Sequence, residues 1–581
     1  MIRWTFKQMK KIVFDIETNG LEPTLIWCVA VREVSTAKEL VFTSEVAFKD
    51  YFYSEQMEII GHNIIGYDIP ALKKLWNVDF TDKKVTDTLV MSRLAEPSRQ
   101  GGHSLDSWGE QLGCLKGDYN DWLNFSQDMV EYCQQDVRVN ERVYKKLVSK
   151  LDDFRSESVD LEHQVQDIIA QQIKNGWLLD QKKAFVLLAE LKEKKLDLED
   201  KVHEKFRPLP TFIKQVSPKV KKDGTYSIVG LKFLGEQWET AVADFSRIDY
   251  PEFNLGSRQQ IGRYLQYFGW KPKSFTEKGQ PIVDESVLNK VKGIPEAALI
   301  GEYLLVQKRI AQVQSWIEAV KEDDRVHGYV NANGAVTGRM THSSPNMGQV
   351  PAVYSPYGQE CRACWTVPEG YSLVGMDASG LELRLLAHYM KNEAYTNEIL
   401  TGDIHTANQL AAGLETRDQA KTFIYAFLYG AGDSKIGSIV GGTAKVGKRL
   451  KEKFLANTPA LGRLREQVTV ASGRGYVLGL DGRRVAIRSE HAALNSLLQS
   501  AGAIVMKKAL CLLVEYANLH KIDFKIIGNI HDEIQTEVKS KDAERFGRLA
   551  TACVEAAGLH YKLNCPLAGE YKVGKNWADT H

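Results

Sequence analysis

Apolar and polar positions along this chain follow two periods, and the switches between them mark its elements. KKIVFDIET (10–18) is an apolar run that predicts a first strand and carries acids at Asp15 and Glu17. Residues i and i+2 of a strand face the same side, so these two carboxylates can converge on a metal. YSLVGM (371–376) predicts a short buried strand ending at Asp377, followed by a helix over 381–389. KIIGNIHDEIQTEV holds two β-rich runs, 525–530 and 534–538, around His531-Asp532-Glu533, which puts these acids at a hairpin turn. Helical spacing governs elsewhere. MVEYCQQDVRVNERVYKKLV predicts a helix on which Tyr132 and Asp136, four apart, share a face. Further helical patterns run over 161–180, over a charged, Leu-rich stretch at 182–206, and over 257–268 and 303–322. FRPLP (206–210) ends the long stretch, and 211–250 is mixed, basic and punctuated by Gly and Pro, which predicts a flexible insertion.

The segment RDQAKTFIYAFLYG sets Arg417, Lys421, Tyr425 and Tyr429 four residues apart. Each such step drifts only about 40° around a helix, so one broad face carries two cations and then two rings. That order suits a nucleotide laid along a helix, phosphates on the cations and base against the rings. An ordinary amphipathic helix would show the same spacing. The distant acids decide between the two. Carboxylates at strand ends are hard oxygen ligands suited to magnesium. Two such ions about 4 Å apart can activate a hydroxyl and stabilise a leaving pyrophosphate. Asp377 and Asp532 are the expected shared ligands. A second acidic set comprises Asp15, Glu17, the stretch GHNIIGYDIPAL with Asn63 and Asp68, and the helix bearing Tyr132 and Asp136.

Composition narrows the picture only slightly. A chain of 581 residues implies about three to five domains, and 44% hydrophobic content allows large cores. The net charge of +1 does not advertise nucleic acid. Local patches must supply any such contact, and candidates are Lys219, Lys221 and Lys222, the Arg483–Arg484 pair and Lys507–Lys508. Eight cysteines show no framework, which suits a reducing compartment. Cys361-x2-Cys364 has no second pair at zinc spacing and reads as structural. No run of 18 apolar residues predicts a membrane span. The basic MIRWTFKQMKK lacks the apolar core of a cleaved signal.

Taken in order, DASGLELR, the R-x3-K-x3-Y-x3-YG helix and HDE resemble motifs A, B and C of family A (Pol I-like) DNA polymerases. GDIHT (402–406), TRDQAKTFIYAFLYGAGD (416–433) and HAALNSLLQSAGA (491–503) are similar to the replicative polymerases of short-tailed phages of the T-seven type. The likeness runs from residue 15 to KNWADTH and is weakest over about 206–250. It implies that Asp377, Asp532 and the Ala378 carbonyl face two Mg²⁺ ions, for which Mn²⁺ can substitute. It makes Glu382 a steric gate beside the sugar. His405, Arg417 and Lys421 would hold the triphosphate, and Lys421 is a candidate proton donor to the leaving pyrophosphate. Tyr425 would lie near the sugar and Tyr429 at the base-pair platform. Tyr rather than Phe at 425 implies tolerance of dideoxynucleotides. Arg339, Gln499 and His531 would touch the primer–template minor groove, whose acceptors are shared by all base pairs. The N-terminal acids resemble the Exo motifs of DEDDy-type 3′→5′ exonucleases. There Asp15, Glu17, Asp68 and Asp136 would hold two metals, and Tyr132 would orient the attacking water.

The resemblance implies an α/β multidomain fold: a ribonuclease H-like 3′-5′ exonuclease domain over 1–150, then a right-hand polymerase domain. In that domain a thumb region covers 151–325, with a reduced insertion at about 206–250. The first palm part covers 326–395, the fingers 396–487 and the second palm part 488–581. The expected partners are primer–template DNA and dNTPs. A phage helicase–primase and a single-stranded DNA-binding protein are further candidates. In the T-seven type a larger thumb loop binds host thioredoxin, so the short insertion puts that partner in doubt. The expected state is a monomer in the cytoplasm of an infected bacterium, without a membrane. A repair or end-processing enzyme dominated by the exonuclease is the alternative.

Overall fold

A computed structural model describes residues 9–235, 243–487 and 489–581. Most of the basic N-terminal segment (1–8), part of the 206–250 insertion (236–242) and Arg488, the first residue of the expected second palm part, lie outside the described residues. The chain forms two compact units. One combines Met1–Leu179 with Ala319–His581, and the other is Asp180–Glu318. The sequence had drawn the thumb region at 151–325.

In the first unit, strand Lys10–Thr18 lies at the centre of a five-stranded sheet. Its neighbours are Ile26–Glu33 and then Glu39–Phe42 on one side, and Met57–Gly61 and then Lys84–Asp87 on the other. Pairing is antiparallel toward Ile26–Glu33 and parallel toward Met57–Gly61. Both faces are covered. Ile12, Phe14 and Ile16 pack into one core, while Val13 packs with Cys133 and Val137 of helix Gln127–Lys150 in another. Asp15 and Glu17 therefore point to the side of that helix, as strand alternation requires.

Helix Ser156–Asn175 ends at Gly176, whose φ of 62° lies in the left-handed region that favours glycine. The expected helix over 161–180 is thus cut short. Trp177–Leu179 is a strand between Trp365–Thr366 and Arg325–Val326. A three-residue strand has no period of its own, and its pairing lies far along the chain.

The C-terminal half is built on a four-stranded antiparallel sheet in the order Phe524–Ile530, Glu533–Lys539, Tyr371–Ala378, Gly569–Gly574. Helices Ala493–Leu519 and Ala543–His560 supply much of its core. Helix Ala493–Leu519 has the length and hydropathy of a membrane span, but 78% of that stretch is buried in the protein. It is a core helix. Two expected basic patches are corrected here. Arg483 and Lys507 are buried, and both pair with the buried Glu162, at 2.6 and 2.7 Å. Arg484 pairs with Asp153. Burying such charges is tolerable only when they are paired. Cys361 and Cys364 are buried, and the Cys364 thiol donates to the Glu360 carbonyl.

In the second unit, helices Gln181–Lys205 and Glu296–Glu318 pack on each other. The first buries Leu187, Leu191, Leu198 and Val202, and ends at Phe206. Phe206, Phe253, Tyr264 and Phe268 form an aromatic cluster, with the Phe253 and Tyr264 rings stacked at 4.1 Å. The insertion, expected to be flexible, has a hairpin base, Thr211–Val216 paired with Phe245–Asp249. Sequence reading missed it because β-bulged strands with exposed Phe212, Ile213 and Ile248 show no clean alternation.

Candidate active sites

The first site lies at the end of the C-terminal sheet. Strand register sets Asp377 opposite Glu533 on one side and Glu570 on the other. His531 and Asp532 form a two-residue turn between paired Ile530 and Glu533, and His531 takes a left-handed φ of 60°. The Ala378 amide donates to the Asp532 carbonyl at 3.2 Å, which fastens the two acidic motifs together. Asp377 reaches solvent. Nevertheless its carboxyl is pushed up to about 7, first by partial withdrawal from water and then by Asp532, Glu533 and Glu570. Charges of one sign crowded in this way favour a cation.

Glu533 is buried and serves as support. Its Oε1 accepts from Trp577 Nε1 and Gln535 Nε2, both at 2.6 Å, and from His581 Nε2 at 2.9 Å. Burial pushes its carboxyl up, but His581 and Arg362 outweigh that and hold it below the usual range. Glu570, Trp577 and His581 were not singled out from sequence; only strand register and packing reveal them.

The helix that carries the two cations and Tyr425 runs over Arg417–Leu428. Thr416 caps it, accepting from the Gln419 amide while the Gln419 side chain closes the capping box. Ala420, Phe423, Ile424 and Phe427 bury one face, which leaves Arg417 and Lys421 exposed. Tyr425 is half-buried and Tyr429 exposed. Gly430 has a φ of 73°, and a Cβ there would lie 2.8 Å from the His491 carbonyl, so the Tyr-Gly pair at 429–430 has a steric reason.

Arg417 Nε donates to Asp403 at 2.7 Å, and Asp403 caps the neighbouring helix Ile404–Ala412. Asp403 was not assigned a role from sequence. The His405 and Tyr425 rings lie 6.4 Å apart. Tyr429 donates to both oxygens of Glu382, at 2.7 and 2.9 Å, and Arg339 reaches Glu382 at 3.5 Å. Glu382 thus joins the helical region to the sheet region. Arg339, Glu382, Asn529, His531 and Asp532 line one pocket. Gln499 is half-buried on helix Ala493–Leu519, one residue from the pocket-lining Leu498.

The second site lies between the N-terminal sheet and helix Gln127–Lys150. Asp15 and Glu17 come from the strand, Asp68 from the first turn of helix Asp68–Trp76, and Asp136 from the long helix. Tyr67 donates to the Gly20 carbonyl at 2.6 Å and shares a hydrogen bond with Thr18, pinning the Asp68 helix to the strand end. Glu17, Asp68 and Asp136 are buried. Ligand atoms of Asp15, Glu17 and Cys133 all fall within 4.8 Å of one another.

Burial raises all four carboxyls. Glu17 is pushed to about 9, helped by Asp136, and Asp68 to about 7. Asp15 rises through burial and then through Asp68, Asp136 and Glu17. Asp136 reaches only about 6, because Lys116 works against its burial. Lys116 and Cys133 were missed from sequence, since neither belongs to a spaced acidic motif. Asn63 has a φ of 62° and its amide donates to Asp87, so it shapes the turn before Asp68.

The family model "DNA polymerase family A" matches residues 232–579. A DNA-directed DNA polymerase of Escherichia phage T7 is 37% identical, over 98% of this chain and 100% of the relative. One from Enterobacteria phage T3 is 38% identical, over 90% of this chain and 92% of the relative. The T7 alignment spans 705 positions, more than the 581 residues here, so that relative carries residues this chain lacks. A solved structure, the POL domain of Pol1 from M. smegmatis in complex with DNA primer-template and dNTP, superposes with a TM-score of 0.79 at 18% identity, over 99% of this chain and 96% of that one. That likeness concerns the fold. With more than half of the chain inside the family model and two relatives aligned over nearly their whole length, this chain belongs to DNA polymerase family A.

Proposed function

We propose that this chain is a phage-type DNA-directed DNA polymerase whose extension site is built on Asp377 and Asp532, with a separate 3′-5′ excision site at Asp15, Glu17, Asp68 and Asp136. The observation that carries the first assignment is the backbone bond from Ala378 to Asp532, which joins two acids 155 positions apart at one sheet end. The donor set fits magnesium. Asp377, Asp532 and the Ala378 carbonyl offer hard oxygens, and the carboxylates already crowd one another. The N-terminal donors fit as well, with Asp136 Oδ1 buried and unpartnered. When bound, Mg²⁺ supplies charge stabilisation and a more acidic hydroxyl or water, and Mn²⁺ has the same ligand preference.

The protein's own groups do the rest. Primer–template lies along the sheet, where Arg339, Gln499 and His531 contact minor-groove acceptors that every base pair presents. Arg417, Lys421 and His405 bind the triphosphate of the incoming dNTP, and Lys421 donates a proton to the leaving pyrophosphate. Tyr425 packs by the sugar. Glu382, held by Tyr429 and Arg339, excludes a 2′-hydroxyl. Movement of helix Arg417–Leu428 toward the acids completes the site for a correctly shaped pair. At the N-terminal site Tyr132 orients water toward the last phosphodiester of a frayed end.

In these terms residues 1–150 are the exonuclease domain, of ribonuclease H-like type. The Asp180–Glu318 unit, within the expected 151–325, is the thumb. Fingers cover 396–487, between palm parts at 326–395 and 488–581. The short insertion supports a polymerase that works without thioredoxin or with another factor. A nanomolar complex with bacterial thioredoxin, lost on deleting 211–248, would refute that.

The test of function is extension of a labelled primer–template with Mg²⁺, with and without dNTPs, beside Asp532→Ala and Asp15→Ala. Extension lost only in the first, and dNTP-free shortening lost only in the second, supports both sites. Shortening without any extension would instead leave an end-processing enzyme.

A further inference from the structure

Lys116 lies in the loop between helices Leu105–Leu112 and Gln127–Lys150. Its Nζ is 2.6 Å from Asp136 Oδ2 and 4.8 Å from the centre of the Tyr132 ring. The loop is fastened to the helix it covers. Gln135 donates to the Leu115 carbonyl at 2.7 Å, and the rings of Tyr119 and Trp122 pack on Tyr132, each with centroids 5.7 Å apart. Trp27 of the sheet donates to the Trp122 carbonyl at 3.0 Å, which ties the loop to the other side of the site. Only a quarter of the Lys116 side chain is exposed. It therefore sits at the acid cluster, facing Asp136 and acting also on the charges of Asp15 and Glu17, while Asp106 is a further acid acting on Asp136.

We propose that Lys116 is a built-in cation of the excision site that holds Asp136 and competes with a divalent ion for that carboxylate. The inference rests on the reading of this site as a metal-dependent one. Asp15, Glu17, Asp68 and Asp136 lie close enough to act on one another's charge, and Lys116 offsets them. An ammonium at 2.6 Å occupies Oδ2, one of the two oxygens Asp136 can offer, and its charge opposes a cation arriving at the free Oδ1, so full use of the carboxylate by a metal displaces Lys116. Its flexible stem allows this, and the Tyr132 ring face lies beside it as a resting place. Lys116 is thus a positioning residue whose removal makes the site more negative and freer to bind metal.

The test is calorimetric titration of Mn²⁺ at pH 8 into the full chain carrying Asp377→Ala and Asp532→Ala, which silences the extension site. Adding Lys116→Gln should tighten Mn²⁺ binding by about tenfold, the scale of losing one close like charge. The same variant should melt earlier than its parent without metal, because Asp136 loses its partner. Lys116→Arg should keep the parent affinity. A residue that merely props the loop would lower stability and weaken metal binding together, so unchanged or weaker binding in Lys116→Gln overturns the proposal. In the unsubstituted chain, acylation of Lys116 by an amine-directed reagent, read by mass spectrometry, should rise severalfold on adding Mn²⁺. No rise overturns the proposal even if the Gln variant does not fold. Asp15→Ala in the silenced background separates the underlying reading. If it leaves Mn²⁺ binding undiminished, the metal site itself is misassigned.

Discussion

The two acidic sites solve the same problem, gathering carboxylates, in opposite ways. At the C-terminal sheet three strands and a two-residue turn do the gathering, and Asp377 stays in contact with water. At the N-terminus three elements converge and bury Glu17, Asp68 and Asp136. An open site can admit a duplex and a moving helix, while a buried one admits a single strand end. The difference also appears in the protons. Asp377 is raised to about 7, whereas Glu17 is raised to about 9, and in the N-terminal site a lysine is paired directly with one of the acids.

The largest expected effect separates the sites directly. Asp377→Ala should lower extension by roughly a thousandfold or more, since a lost metal ligand forfeits several kcal/mol of charge stabilisation. Excision by that variant should stay within about twofold, and Asp68→Ala should show the converse. Single-turnover rates for both reactions are the measurement. Coupled loss of both activities in either variant would mean that the sites are not independent.

Next in size is the response to pH without metal. Glu17, Asp68 and Asp136 have folded values near 9, 7 and 6, all above the ordinary carboxylate range near 4. The folded protein therefore holds protons that the unfolded chain releases. Their contribution to stability is complete below about pH 4 and is lost as pH rises through 6, 7 and 9. Melting in a chelator should fall by several degrees between pH 5.5 and 9, and saturating Mg²⁺ should restore most of it. Glu17→Gln with Asp68→Asn should flatten the slope. A slope that survives in that double variant would place its origin elsewhere.

How legible all this was in the sequence differs between the same two regions. Asp377 and Asp532 end or interrupt apolar runs, so periodicity alone put them at strand ends. Asp15 and Glu17 were legible from strand alternation. What failed was anything set by distant packing. Arg483 and Lys507 looked like surface cations because their partner Glu162 lies 345 positions from Lys507. Trp177–Leu179 looked helical because a strand of three residues carries no period. Lys116 lies in a loop, where no spacing rule points at a side chain.

A smaller effect probes the sugar side of the open site. Tyr425 lies near Glu382 and Asp532, which, after burial itself, push its phenol up, so the hydroxyl is present as a donor at neutral pH. Tyr425→Phe removes one donor worth about 1 to 1.5 kcal/mol. Discrimination against dideoxynucleotides should then rise by about tenfold, with ordinary extension little changed. Unchanged dideoxy incorporation would sink the assignment of Tyr425 to the sugar.

The smallest effect tests whether the cation-bearing helix of the open site is positioned by its own cap. Thr416 accepts from the Gln419 amide at 3.2 Å, and Gln419 returns bonds to the Glu415 and Thr416 amides. Thr416→Ala removes half of that box at a cost of about 1 kcal/mol. Arg417 is the first residue of the helix, so fraying there loosens the cation nearest the cap and spares Tyr429 at the far end. The KM for dNTP should rise about threefold while kcat and excision hold. If kcat fell instead with KM unchanged, the first turn would matter in the closing movement rather than in holding phosphate, and Arg417 would have to be reassigned from binding to closure.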